Sequence, residues 1–331
     1  MRIGLAGVGR IGAFHAETLS AIPAVDEVIL TDADPVRARQ VADKVGATVA
    51  ADIADLLDRK PDGLVIAAPT KAHQALVLAA IGAGIPAFCE KPVAPDVAGT
   101  LVVRERARDA TVHVGFQRRF DAGYRAARDA VQNKKLGWLH TIRATTLDPA
   151  PPPAAYIAGS GGMFRDCSVH DFDIIRWVTG REIVQVYATG SNRGADFFAA
   201  ADDVDTLAAV LTLDDDSLAV VSATRYNGAG YDVRLELLGS TDSIAVGVDE
   251  RLPLRSVEPG ISHNGTPYPN FMERFAQAYV DELTAFTELI NSGGPSPCTV
   301  DDALEAFYVA DACELSRHEH RPVMLSEVRH R

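Results

Sequence analysis

Hydrophobic positions in the first third of the chain come in short apolar runs, each followed by a stretch with helical spacing. Arg2–Ala6 is such a run; it stops at a glycine cluster, and a helical pattern follows from Ala13 to about Ala21. Val28–Thr31 predicts a second strand ending at Asp32. Pro35–Val45 predicts a helix with proline in its first turn, where a missing N–H is no loss. Leu64–Ala67 is another β-type run, Lys71–Ala83 a helix stopped by Gly84, and Ala87–Cys89 and Val112–Gly115 are two further strands. Strands separated by helices of roughly 10–15 residues predict parallel pairing with right-handed crossovers, hence a doubly wound α/β sheet.

The pattern changes near residue 120. Asp121–Gln132 is helical and Leu139–Leu147 predicts a strand. Asp148 then leads into Pro149-Ala150-Pro151-Pro152-Pro153, which must be extended because each proline fixes φ and restricts the residue before it. Strands resume afterwards, so this is an ordered loop inside a second domain. Gly162–Val178 predicts a helix stopped by Gly180. Val184–Thr189, Thr206–Leu213, Leu218–Tyr226, Asp232–Leu238 and Ser243–Val248 follow as strands with few helices between them. Such a run implies an open, largely antiparallel or mixed sheet with a helix on one face. Phe271–Ile290 and Val300–Arg317 predict long amphipathic helices. The expected division is 1–120 for the doubly wound α/β domain and 121–331 for an α+β domain, whose C-terminal helix is expected to pack back on the first.

A chain of 331 residues exceeds the size at which one core stops growing, which agrees with two domains. With 32 Lys+Arg against 45 Asp+Glu the net charge is −13, which argues against a nucleic-acid backbone or an anionic membrane as partner. The four cysteines (Cys89, Cys167, Cys298, Cys313) are scattered, with no CxxC pair, so neither a disulfide framework nor a structural zinc is expected. The N-terminus runs straight into a strand without the charge and apolar run of a leader, and a cytoplasmic location is expected.

Gly7-Val8-Gly9-Arg10-Ile11-Gly12 lies between the first strand and the first helix. In that context the first glycine allows a tight turn, the second lets a pyrophosphate approach the backbone, and the third lets helix and strand pack closely. The helix N-terminus then faces the phosphates with unpaired N–H groups and the positive end of its dipole. Asp32, 20 positions after Gly12, ends the second strand, where a carboxylate accepts from the adenosine ribose hydroxyls and repels a 2′-phosphate. NAD is therefore the expected cofactor, with Arg37 as a solvated helix residue or a neighbour of the adenine.

Glu90-Lys91-Pro92 follows the Ala87–Cys89 strand, at the edge where open α/β sheets bind ligands. Asp166 and His170 lie four apart on the expected helix, with Asp173 near the same stripe. A carboxylate beside an imidazole raises its basicity and sets its tautomer, which suits a general base. The same residues would also serve a salt-bridged helix or, with Asp173, a metal; hydride transfer to NAD needs no metal, and none is expected.

The chain resembles the Gfo/Idh/MocA oxidoreductase family, and within it the branch acting on inositols. The resemblance rests on Gly7–Gly12, Ala68-Pro69-Thr70 with His73, Glu90-Lys91-Pro92, Gly115–Asp121, and Gly161-Gly162 leading to Asp166–Asp171. It implies a Rossmann domain followed by an open-faced α/β domain whose sheet commonly forms the interface of a dimer or tetramer. It implies further that His170 takes the hydroxyl proton as hydride leaves the same carbon, that Lys91 hydrogen-bonds that hydroxyl, and that Asp166 completes the set. Arg118, Asp148 and Tyr231 would contact the substrate; Ala68, Pro69, Thr70, His73, Glu90, Lys91 and Gln117 would line the cofactor with Gly7, Gly9, Arg10, Ile11, Gly12, Asp32 and Arg37. Gln117 and the proline-rich loop depart from the family's pattern. The implied activity is NAD-dependent oxidation of a secondary alcohol of a cyclic polyol, myo-inositol first, with scyllo-inositol, another sugar or a deoxysugar as alternatives. A non-catalytic dinucleotide sensor is the reading from another class; the Lys91, Asp166 and His170 trio speaks against it.

Overall fold

The computed structural model describes residues 1–261 and 265–329. The chain divides into two compact units: Met1–Gln117 with Gln277–Leu304, and Arg118–Ala276 with the chain from Glu305 onward.

In the first unit, strands β1 (Arg2–Ala6), β2 (Glu27–Thr31), β3 (Thr48–Val49), β4 (Gly63–Ile66), β5 (Ala87–Glu90) and β6 (Val112–Gly115) form one sheet in the order β3-β2-β1-β4-β5-β6. Every pairing is parallel. The order reverses at β1 and β4, the switch point beyond whose carboxyl ends such sheets bind ligands. Ile3, Leu5, Leu30, Val65 and Phe88 of the sheet share a core with Ala16 and Leu19 of the Arg10–Ala21 helix, and with Leu283 and Phe286 of the Ala276–Ser292 helix. Aspartates start three helices of this unit: Asp34 accepts from the amides of Val36 and Arg37, Asp52 from Asp55, and Asp96 from Gly99. Each satisfies N–H groups that a helix start leaves without partners.

The second unit is built on β7 (Leu139–Leu147), β8 (Ile183–Ser191), β9 (Thr206–Leu213), β10 (Leu218–Thr224), β11 (Asp232–Gly239), β12 (Ser243–Val246) and β13 (Val323–Met324), ordered β12-β11-β7-β10-β9-β8-β13. Only the β7–β10 pairing is parallel, so the sheet is mixed, as the run of strands implied. Alternation sorts its faces. Ala144, Val221, Ala209 and Ala188 lie opposite one another across four strands and are all buried, on the side where the Val169–Thr179 helix packs against β7. The intervening row, Tyr187, Val210, Val220 and Arg143, lies on the other face, where the three apolar side chains are exposed.

Two local expectations change, and one loop gains a helix after it. The Gly162–Val178 helix is two elements: a π-helical turn, Phe164–Ser168, then an α-helix, Val169–Thr179, closed by Gly180 at φ 64°. The Phe271–Ile290 helix breaks at Phe275, giving Phe271–Arg274, capped by Asn270, and Ala276–Ser292. The proline run ends at Pro153, which starts a short helix, Ala154–Ile157. Among the described residues no helix is long and apolar enough to cross a membrane.

Candidate active site

The glycine loop of the first unit shows three different geometries. Gly7 has φ +91°, and a Cβ there would lie 2.6 Å from the Ala68 backbone. A Cβ on Gly12 would lie 2.0 Å from the Gly7 carbonyl oxygen, so helix and loop touch. A Cβ on Gly9 would meet nothing within 4 Å. Gly7 and Gly12 are thus demanded by packing, while Gly9 opens on space beside a helix start that no side chain caps. Arg10, Ile11 and Gly12 supply that first turn, whose amides have no intrahelical acceptor. An open backbone at the positive end of a helix dipole fits a dinucleotide's pyrophosphate.

Asp32 is fixed from several sides. One carboxylate oxygen accepts from the Val8 amide at 2.7 Å; the other accepts from the Asp34 amide at 2.8 Å and from the Arg37 guanidinium at 3.1 Å. Burial pushes its pKa up, but the two amides and Arg37 outweigh that and hold the carboxyl below its usual range. Arg37 is about half exposed and is an ion-pair partner of Asp32.

The segments after β4 and β5 are tied to each other. Ala68 and Pro69 lead into the Thr70–Gly82 helix, on which His73 is buried. Its two ring nitrogens lie 2.7 Å from the carbonyl oxygens of Ala68 and Pro92, so the imidazole braces these segments from within. Glu90 closes β5 with its carboxylate 2.7 Å from Nε2 of the buried His15. Lys91 follows, joined to Pro92 by a cis peptide. Gln117, nearly fully buried, begins the tight turn Gln117–Phe120. His15 was missed from sequence, although a histidine on the apolar face of the first helix, three residues after Gly12, was a visible signal.

In the second unit Asp166 and Asp173 of the expected stripe meet different partners. The Asp166 carboxylate accepts from Arg225 at 2.6 Å and from the Tyr156 hydroxyl at 2.7 Å. Asp173 is buried in a two-pronged pair with Arg119, at 2.9 and 2.5 Å. The π-helical turn holds an extra residue per turn relative to an α-helix, so spacing across it no longer follows the i, i+4 rule. His170 lies in the first turn of the Val169–Thr179 helix and is partly exposed. Arg118 is buried: it donates to Asp171 at 2.6 Å and to the Thr146 hydroxyl at 3.0 Å, and Thr146 donates to Asp171 at 2.7 Å. Asp148 accepts from the other arm of Arg225 at 2.6 Å. Tyr231 is buried, and that burial drives its phenol well above the usual value against the lowering effect of Arg118, so it stays neutral. Arg225 is the second residue that sequence reasoning missed. It ends a strand with no motif around it.

Residues 1–116 match an oxidoreductase family with an NAD-binding Rossmann fold, and residues 124–245 match the GFO/IDH/MocA C-terminal domain. The chain belongs to the Gfo/Idh/MocA oxidoreductase family. A myo-inositol dehydrogenase of Streptomyces leeuwenhoekii is 38% identical, with 96% of this chain and 97% of that one aligned. A solved myo-inositol dehydrogenase of Corynebacterium glutamicum has a TM-score of 0.91 at 34% identity over 98% of both chains. A solved scyllo-inositol dehydrogenase of Lactobacillus casei, with bound NAD(H) and scyllo-inositol, has a TM-score of 0.88 at 30% identity over 98% of this chain and 99% of that one. Family membership brings an NAD-binding first unit, an oxidoreductase acting on CH–OH groups, and the nucleotide loop whose glycine geometry is given above.

Proposed function

We propose that the chain is an NAD-dependent inositol dehydrogenase that oxidises one secondary hydroxyl of myo-inositol to the corresponding ketone. The observation that carries this reading is full-length similarity to inositol dehydrogenases together with a loop whose Gly9 backbone is open where a pyrophosphate would sit. Bound nicotinamide supplies a hydride acceptor for the C–H of the reacting carbon. The chain's own part is to hold that carbon and to move a proton. His170 takes the hydroxyl proton, Lys91 hydrogen-bonds the same oxygen and stabilises the charge that develops on it, and Asp166 completes the set. Asp148, Arg118 and Tyr231 belong to the substrate side, with Arg118 acting through Asp171 and Thr146. Positioning supplies much of the acceleration, because a ring of similar hydroxyls must present one C–H in a fixed orientation.

Scyllo-inositol is the second reading, favoured by the Lactobacillus casei relative. The test is to incubate the protein with NAD⁺ and a panel of inositols and sugars and follow the absorbance of the reduced nicotinamide. Turnover of myo-inositol above the rest is the expected result; NAD⁺ binding without turnover of any polyol would leave the sensor reading instead. We also propose that the protein is a homo-oligomer, dimer or tetramer, that meets itself through the exposed face of the second sheet, and that it works in the cytoplasm on a small polyol without nucleic acid or membrane.

A further inference from the structure

Arg225 is nearly fully buried and has a carboxylate on each arm: one terminal nitrogen lies 2.6 Å from Asp148 and the other 2.6 Å from Asp166. The two acids come from distant parts of the chain, Asp148 just past the end of β7 and Asp166 from the π-helical turn. Arg225 follows β10, which pairs in parallel with β7, so the two strand ends emerge side by side. The Arg225 amide is itself anchored to the Asp205 carbonyl at 2.8 Å, and the Asp148 amide to the Thr224 carbonyl at 2.8 Å. Backbone registry therefore holds Arg225 and Asp148 at neighbouring strand ends. Other ionisable groups at this cluster are Tyr156, whose hydroxyl donates to Asp166, and Cys167, Asp171, Asp203 and Tyr231. Arg225 is the cation that the two carboxylates share.

We propose that Arg225 is a positioning and specificity residue of the substrate site, keeping Asp148 and Asp166 ionised and at a fixed separation so that the pair offers a polyol only acceptors. This rests on the dehydrogenase reading. An ionised carboxylate accepts and never donates, and has about four acceptor positions, of which Arg225 takes one on each acid and the Tyr156 hydroxyl another on Asp166. Such acceptors suit hydroxyl groups, on Asp148 those that stay hydroxyls throughout the reaction, and they repel a carbonyl oxygen. Asp148 would thus read the unreacting hydroxyls of a cyclic polyol and disfavour a ring already oxidised at those positions.

The experiment compares the full-length protein with Arg225→Met, Arg225→Lys and the double variant Arg225→Met/Asp148→Asn. Without the guanidinium two carboxylates face each other, and one takes up a proton. In Arg225→Met the acid limb of kcat/KM for myo-inositol should then move up by about one pH unit, the usual scale of such coupling. Arg225→Lys should fall between, since a lysine keeps the charge but loses the planar fork. A second readout needs no activity. The melting temperature of Arg225→Met should fall below wild type most at pH 8 and least at pH 5, where protonation relieves the repulsion, and Asp148→Asn should restore much of the loss. A deficit that is constant with pH, with no recovery in the double variant, would overturn the proposal. If the wild-type protein oxidises no inositol, the dehydrogenase reading fails, while the melting series still decides whether Arg225 holds the two acids ionised.

Discussion

Gly9 and Gly12 stand three positions apart in one loop, yet the structure gives them opposite demands. A methyl on Gly12 would collide with the Gly7 carbonyl at 2.0 Å, and the collision is with backbone, which cannot step aside. Gly12→Ala should therefore cost about 1–3 kcal/mol of stability or more, as overpacking does, and lower the melting temperature. A methyl on Gly9 meets no protein atom, and its φ of −65° is open to any residue. Gly9→Ala should leave melting unchanged and weaken NAD⁺ binding about tenfold, the equivalent of roughly 1.4 kcal/mol, because the methyl intrudes where the phosphates approach. Titration calorimetry and a melting curve separate the two; equal melting losses would contradict the contrast. Lys91→Ala should keep the melting temperature while kcat falls about 10²-fold, the scale of a positioned acid–base or electrostatic group. A variant that binds NAD⁺ and turns over at the wild-type rate would remove Lys91 from the chemistry.

At the level of elements, the Gln117–Phe120 turn is held to the Val169–Thr179 helix by two buried ion pairs, Arg118 with Asp171 and Arg119 with Asp173. Breaking one side of such a pair strands a charge in the interior. Arg119→Met should cost about 3–5 kcal/mol, and Arg119→Met/Asp173→Leu should recover most of it, since an apolar pair of similar volume is often no worse than the ions. Urea midpoints measure both; a double variant as unstable as the single one would mean that the ion pair is needed for more than charge balance. The half-exposed pair Arg181–Asp215 is the control, worth about 0–1 kcal/mol. The turn and its helix also show what the sequence could reveal. The alternation in Thr206–Leu213 gave its strand to the residue, and the parallel strands of the first unit, except the two-residue β3, were legible as apolar runs. The π-helical turn was not, because hydrophobic spacing over five residues does not distinguish it from an α-helix. Asp166 lies within that turn and accepts from Arg225. Arg225 itself was illegible: a single arginine after a strand has no local pattern, and its meaning arises from two acids 77 and 59 positions away.

For the whole molecule, the net charge of −13 sets a constraint on self-association: each added copy brings the same negative charge, so copies must meet where charge is low. The exposed face of the second sheet meets that requirement. Tyr187, Val210 and Val220 lie opposite one another across β8, β9 and β10, each 39–45% exposed. The row continues into Arg143 on β7, which pairs with Glu236 on β11 at 3.3 Å and so adds no net charge. A flat apolar row bordered by a neutral ion pair has the composition of a face that another protein surface covers. Its symmetry requirement is met by a second copy packed face to face, in which the same row supplies both sides. Val210→Lys places a cation at the row's centre, where burial would leave it without a partner. Light scattering after size exclusion should give a mass of two or four chains for the wild type and one chain for the variant, with the variant's melting temperature becoming independent of protein concentration. A variant that keeps the wild-type mass would place the contact elsewhere, and a wild type that is itself monomeric would leave this apolar row to some other partner.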